Sequence, residues 1–267
     1  MDIKYVFNDY FHFLFRSLRF LDQESRSSHE EEVIHMMKQN VDKLNAFINM
    51  LSFVDPTIPL LRCQAAIASF HRDLLDLHRT LQEEKLIELE TFMYGDASEI
   101  SAVLSVEEES KRDVFRKQVR ELFLNTIHAT EKLTMRHVNA LNNDHLKDQI
   151  IRYFEALLDS VQEHMLQEDF KPLAAAVEEL FNNFTLIHRL SPEGTPHRYG
   201  SLIKSLDKLR KEFNRRNLYV HSINKIDYYG YRDNEIKRDL LAKLDDLERT
   251  LQHESGSFEN LKQAVLG

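Results

Sequence analysis

The chain has 267 residues, enough for one large or two small domains with a substantial core. Six Gly, five Pro and no Trp leave few of the turn residues that hairpins and sheets require, and a single Cys63 excludes an intrachain disulfide framework and suits a reducing cytoplasm. A net charge of −9, from 35 basic and 44 acidic residues, argues against a general nucleic-acid coat, because such binding runs on a surplus of Lys and Arg.

The start Met1-Asp2-Ile3-Lys4 has no signal-peptide layout, and no apolar run reaches bilayer length, so a cytoplasmic protein without membrane contact is expected. Residues 4–22 carry Tyr5, Phe7, Tyr10, Phe11, Phe13, Phe15 and Phe20, while Asp9, Arg16 and Arg19 keep the segment in water. Apolar groups on more than one face predict a helix buried on two sides, at a subunit contact. Ser28-His29-Glu30-Glu31 reads as a capping box, followed by the 3.6-period stripe Val33, Met37, Val41, Leu44, Ile48 and Leu51 up to Asp55-Pro56.

A long third helix is predicted from Pro59 to Met93 on Leu60, Ile67, Leu74 and Leu81, broken by Tyr94-Gly95-Asp96. Ala97–Ser110 is small and acidic and reads as a loop, which makes it the candidate boundary between a region 1–110 and a domain 111–267. Ser105-x-x-Glu108 would cap the next helix, with Val114, Val119, Leu122, Ile127 and Leu133 in its stripe, ending at Asn142-Asn143-Asp144. Two further helices cover 145–166 and 171–189. Residues 191–200 carry the strongest loop signal, a further helix starts at Ser201, and a last one runs from Asn234 to Glu254. The fold class is all-α, a helical bundle.

The helix from Ser201 combines pattern and chemistry. Leu202, Leu206, Leu209, Phe213 and Val220 form its apolar stripe, and the helical period puts Arg216 in that stripe. A buried unpaired guanidinium is costly, so Arg216 needs a carboxylate, a partner subunit or an anionic ligand. Asn217 and His221 form an i, i+4 pair on the neighbouring face. Lys204, Lys208, Arg210, Lys211, Arg215 and Arg216 face only Asp207 and Glu212, a local reversal of the overall acidic balance.

The run from Leu209 to His221, with Arg216-Asn217 and His221 in an Arg-Asn-x-x-x-His arrangement, resembles the motif helix of HEPN domains, and the polar, Tyr-containing stretch Ser222–Tyr231 is similar to the segment after that helix in the family. The resemblance covers about thirty residues closely. It implies a C-terminal HEPN-like up-and-down bundle and a metal-independent endoribonuclease, a hydrolase of the toxin or antiviral-defence type. In such enzymes the ribose 2′-OH attacks the adjacent phosphate, so the substrate must be RNA. By that resemblance His221 serves as general acid or base, Arg216 neutralises charge on the phosphate oxygens, and Asn217 orients His221 or holds a phosphate. Arg215 and Lys211 would bind the RNA backbone. A homodimer with two motifs sharing one cleft is implied, and an antitoxin or other defence protein is an expected partner.

Two rival readings stand beside it, a catalytically inert HEPN-like interaction module and a sensor that binds a nucleotide without cutting it. No cofactor or metal is expected. Glu32-x-x-His35 has di-iron spacing, but no second Glu-x-x-His accompanies it. His-Glu-x-x-His, clustered Cys, a phosphate-cradling Gly loop and Gly-x-Ser-x-Gly are all missing from the sequence. Arg72 and His78 repeat the Arg/His proximity, yet an intrahelical salt bridge with Asp76 accounts for Arg72.

Overall fold

A computed structural model of the chain describes residues 3–27, 31–57, 60–94, 98–121, 123–141, 146–167, 170–190, 197–230 and 235–266. These form helices α1 (Ile3–Ser27), α2 (Glu31–Val54), α3 (Leu60–Tyr94), α4 (Ser98–Glu121), α5 (Phe123–Ala140), α6 (Leu146–Leu166), α7 (Phe170–Leu190), α8 (His197–Tyr228) and α9 (Glu235–Leu266). No strand occurs among the described residues, so the all-α class holds.

Consecutive helices pack on one another from α1 through α5 and again from α6 through α9. Helices α2 and α3 tie the two runs together: α2 also packs on α6 and α7, and α3 on α5, α8 and α9. The stripe read in α2 is the reason for its central place. Val33, Met37, Val41, Leu44, Ile48 and Leu51 are all buried, and each contributes about 1.5–3 kcal/mol on leaving water. Asp55 then stops the helix, its Oδ1 accepting from the Thr57 backbone N–H at 2.9 Å and from the Thr57 hydroxyl at 2.6 Å.

Helix α1 is buried on one face only within this chain. Phe7, Phe11, Leu14, Phe15 and Leu18 pack inward, with Phe7, Tyr10 and Phe11 gathered around Phe47 of α2 at centroid distances of 5.2, 5.8 and 5.7 Å. Tyr5, Phe13 and Phe20 stay 72, 46 and 59% exposed. The two-sided burial expected from the sequence is therefore not met inside the chain.

Residues 98–110 are helical and not a loop. They belong to α4, which packs along α3 and buries Leu104 completely. Ser and Glu carry only a weak penalty in a helix, so tertiary packing decides such a segment. Ser105 sits inside α4 and its hydroxyl donates to Glu84 of α3 at 2.6 Å, so it caps nothing. The single helix expected from 105 to 141 is two elements, α4 and α5, and Val114 of its expected stripe is 47% exposed. Helix α4 runs through position 110, and the main core draws on residues before it, such as Phe7 and Leu81, and after it, such as Phe115 and Leu251. Residues 28–30, 95–97, 142–145 and 191–196, where the sequence pattern places a cap and breaks, lie outside the described residues, but residues 197–200 of the loop expected at 191–200 are the first turn of α8.

A second, smaller core of Ile87, Leu104, Ile223, Ile226, Ile236 and Leu240 joins α3, α4, α8 and α9. Beside it Lys225 of α8 reaches Glu83 of α3 at 2.5 Å and Glu107 of α4 at 2.9 Å. Burial opposes the Lys225 charge, but its bonds to Glu83 and Glu107 outweigh that and hold its pKa above the ordinary lysine value. Gly230, at φ +85°, closes α8 in the left-handed conformation that favours glycine.

Candidate functional site

Four helices each turn one i, i+3, i+4, i+7 row of side chains toward a common cleft of about 370 Å³. Helix α2 contributes His35, Lys38, Gln39 and Asp42, α3 contributes Leu75, His78, Arg79 and Gln82, and α7 contributes Lys171, Ala174, Ala175 and Glu178. Helix α8 adds Arg210, Asn214, Asn217, Leu218 and His221. The rows are mostly polar where a packed bundle would place Leu and Ile, and Leu75, Ala174, Ala175 and Leu218 lie among them, so the helices meet here around a space of mixed polar and apolar lining. A second hollow of about 410 Å³, with His71, Arg72 and Asp76 in its wall, shares Leu75 and Arg79 with the first. The two together follow α3 from Arg72 to Gln82, roughly 15 Å of helix.

The wall is organised by two hydrogen-bonded groups. The Gln39 amide lies 2.7 Å from His35 Nε2; with the amide nitrogen donating, His35 carries its proton on Nδ1 and donates to His78 Nε2 at 2.9 Å. The two imidazoles lie nearly parallel with centroids 5.1 Å apart. In the second group Lys38 donates to Asp42 at 2.6 Å, and Asp42 accepts from His71 Nε2 at 2.8 Å. Burial works against the Asp42 charge, but the bonds from His71 and Lys38 prevail and its pKa falls below the usual carboxylate value. Arg210 lies over the Phe181 ring at 4.4 Å and pairs with Asp207 at 2.8 Å and Glu178 at 3.5 Å.

Burial, then the nearby Lys38 charge, lowers the pKa of His35 and pushes that of His78 down to about 4. The folded His78 thus titrates below its unfolded value near 6.5, and the unfolded chain binds more protons between the two. Stability from the neutral, buried imidazole is complete above pH 6.5 and is lost as pH falls toward 4, on the order of 3 kcal/mol. Urea denaturation at pH 7 and pH 4.5 should show a loss in the parent protein that is clearly smaller in His78→Gln. An equal acid loss in both would exclude His78 as its source.

The residues singled out in the sequence separate in space. Asn217 and His221 line the cleft, and burial followed by the Arg79 charge lowers the His221 pKa. Arg216 does not join them. Its Nε and one terminal nitrogen both donate to Glu248 Oε1 of α9, at 2.7 and 2.6 Å, and its guanidinium lies 4.2 Å from the centre of the Phe170 ring. The carboxylate that its place in an apolar stripe demanded is therefore supplied by the same chain. Arg215 is exposed, and Lys211 is exposed and paired with Asp207 at 2.6 Å. Arg72 lies 3.6 Å from Asp73 rather than pairing with Asp76.

Sequence pattern alone gives no role to His35, which lacks a second di-iron motif, or to His78, whose neighbour Arg72 is explained by a salt bridge. The fold brings the two together across 43 residues. Among the described residues no group of three or more His, Cys, Asp and Glu is arranged to hold a metal ion. None of the described helices is long and apolar enough to cross a membrane.

No protein-family model matches the chain, and neither does any curated protein sequence. The structure is similar to the crystal structure of the CHAD domain from the plant Ricinus communis, with a TM-score of 0.69 and 13% identity over 98% of this chain and 91% of that one. The likeness spans nearly the whole chain, whereas the HEPN resemblance rested on one helix. It overturns that resemblance and the ribonuclease, RNA-cleaving toxin and antiviral-defence readings that hung on it. At 13% identity it establishes architecture alone: the chain has the all-helical fold of a CHAD domain.

Proposed function

We propose that this protein binds a phosphate-bearing polyanion, such as a condensed inorganic phosphate, in the cleft between α2, α3, α7 and α8. One observation carries the reading. In a chain of net charge −9, the cleft wall carries Lys38, Arg79, Lys171 and Arg210 from four different helices against Asp42 and Glu178, with Asp207 paired to Arg210 and Asp76 3.8 Å from Arg79 at its margin. A local cationic surplus in partly desolvated surroundings favours multiply charged anions, and guanidinium and ammonium groups are the usual phosphate donors.

Further features support it. The cleft has the size of a small-molecule site, and its continuation along α3 past Arg79 to Arg72 gives room for a chain of phosphates rather than a single one. Arg210 Nε is buried with no hydrogen-bond partner, a donor left for an incoming oxygen. The paired imidazoles of His35 and His78 would take up protons beside such an anion. Residence in the reducing cytoplasm, which the single Cys63 suits, belongs to the same reading.

Titration calorimetry with inorganic tripolyphosphate and with longer polyphosphate tests it. Binding is expected for both and tighter for the longer chain. Lys171→Glu and Arg79→Glu should each weaken it about tenfold or more, the value of one or two charge-assisted hydrogen bonds. Neither residue is in the core, so circular dichroism should not change. Failure of both phosphates to bind, or unchanged affinity in both variants, would overturn the proposal. An RNA oligonucleotide that outcompetes the longer polyphosphate would redirect it to nucleic acid.

A further inference from the structure

The outer face of α1 carries a stripe in which Tyr5, Phe13 and Phe20 stay 72, 46 and 59% exposed. With 100° per residue, Tyr5, Arg16, Asp9, Phe20 and Phe13 fall within an arc of about 80°, opposite the buried row of Phe7, Phe11 and Leu18. Helix α1 packs on α2 and α5, and the residues of this arc remain exposed to water over much of their surface. Exposed aromatic residues scattered singly mean little, but a row along one helix face marks a contact surface. Asp9 and Arg16, both exposed, have no ion pair among the described residues.

Read from either end the stripe alternates ring, charge, ring, charge, ring, and the two charges are of opposite sign. Laid antiparallel on a second copy, with position i opposite 25 − i, Tyr5 meets Phe20, Asp9 meets Arg16, and the two Phe13 rings meet near the axis. Each of these contacts occurs twice, which is what a two-fold interface requires. A shift by one helical turn sets Asp9 and Arg16 away from their opposites and leaves aromatic rings in water, so the charges fix the register. We infer that α1 is a homodimerisation surface, in which the Tyr5–Phe20 faces of two copies pack antiparallel around the reciprocal Asp9–Arg16 ion pairs.

The area is adequate. An aromatic side chain can bury about 200 Å², so six rings at the observed exposures supply roughly 700 Å². The stems of Asp9, His12 and Arg16 bring the total toward the roughly 1,000 Å² at which specific interfaces begin. An interface of that size belongs to micromolar rather than nanomolar complexes. The pairing leaves the anion cleft and the Arg216–Glu248 pair untouched, so it stands apart from the function proposed above.

Light scattering of the full chain after size exclusion, from low to high micromolar protein, reads the proposal directly. A dimer that fills in with concentration is expected. Arg16→Asp and Asp9→Arg should each return the chain to monomer by setting like charges opposite one another. Combining Asp9→Arg with Arg16→Asp should restore the dimer. All of these positions face water, so circular dichroism and the melting temperature of the dilute protein should be unchanged. A monomer at high micromolar concentration, a dimer that survives both single changes, or a double variant no more dimeric than the singles would overturn it.

Discussion

Phe47→Ala is expected to lower the unfolding free energy by about 3–5 kcal/mol, the usual cost of emptying a large aromatic site in a packed core. Phe47 is fully buried on α2, and its ring touches three aromatic rings of α1, nearly perpendicular to Phe7 at 84° and to Tyr10 at 73°. The loss combines the transfer of the ring to water, the cavity left between two helices, and edge-to-face contacts of about 0.5–1.5 kcal/mol each. Urea denaturation of dilute protein, with Phe20→Ala as the comparison, separates the two faces of α1. Phe20 is 59% exposed and its removal should stay within about 0.5 kcal/mol. Similar small losses for both would mean that α1 does not pack on α2 through its inner row.

Lys225→Met is the second change with a large expected effect. It would strand Glu83, whose side chain is 4% exposed and whose carboxylate accepts from Lys225 at 2.5 Å. Removing one member of a buried ion pair costs about 3–5 kcal/mol, because the remaining charge has lost both water and partner. Glu107 suffers less, since Lys111 stays 2.8 Å away. One check distinguishes this mechanism from simple loss of packing. Adding Glu83→Leu should recover most of the stability, because replacing both partners by apolar groups of similar size is often neutral. A double variant as unstable as Lys225→Met would show that the charge is not what matters.

What the sequence by itself determined is the helical architecture and the bounds of α2, α3, α6 and α7 to within a residue or two. The α2 stripe from Val33 to Leu51 and the Ile67, Leu74 and Leu81 row of α3 are buried as their 3.6 period requires. Asp55 stops α2 because its carboxylate captures the next free donors, a local effect visible in three residues. The segment 98–110 was not legible in this way. Its few apolar residues mark no strong stripe, and Leu104 holds it helical only through α3, α8 and α9.

The site divides along the same line. That Arg216 needed a counter-charge followed from its place in an apolar stripe; that Glu248, 32 residues away, supplies it followed only from the packing of α9 on α8. The expected grouping of Arg216 with His221 does not form, because residues five positions apart diverge by about 140° around a helix, and the likeness to a known motif had drawn them together. The cleft itself is written as polar rows with the spacing of apolar ones, His35 to Asp42, His78 to Gln82, Lys171 to Glu178 and Arg210 to His221. Each row alone looks like a solvated helix face. Whether such a row meets water or three other rows depends on how the helices pack around α2 and α3, and that is set by the apolar faces on their other sides. Periodicity therefore fixes what each helix hides, and only the tertiary structure decides which polar faces meet.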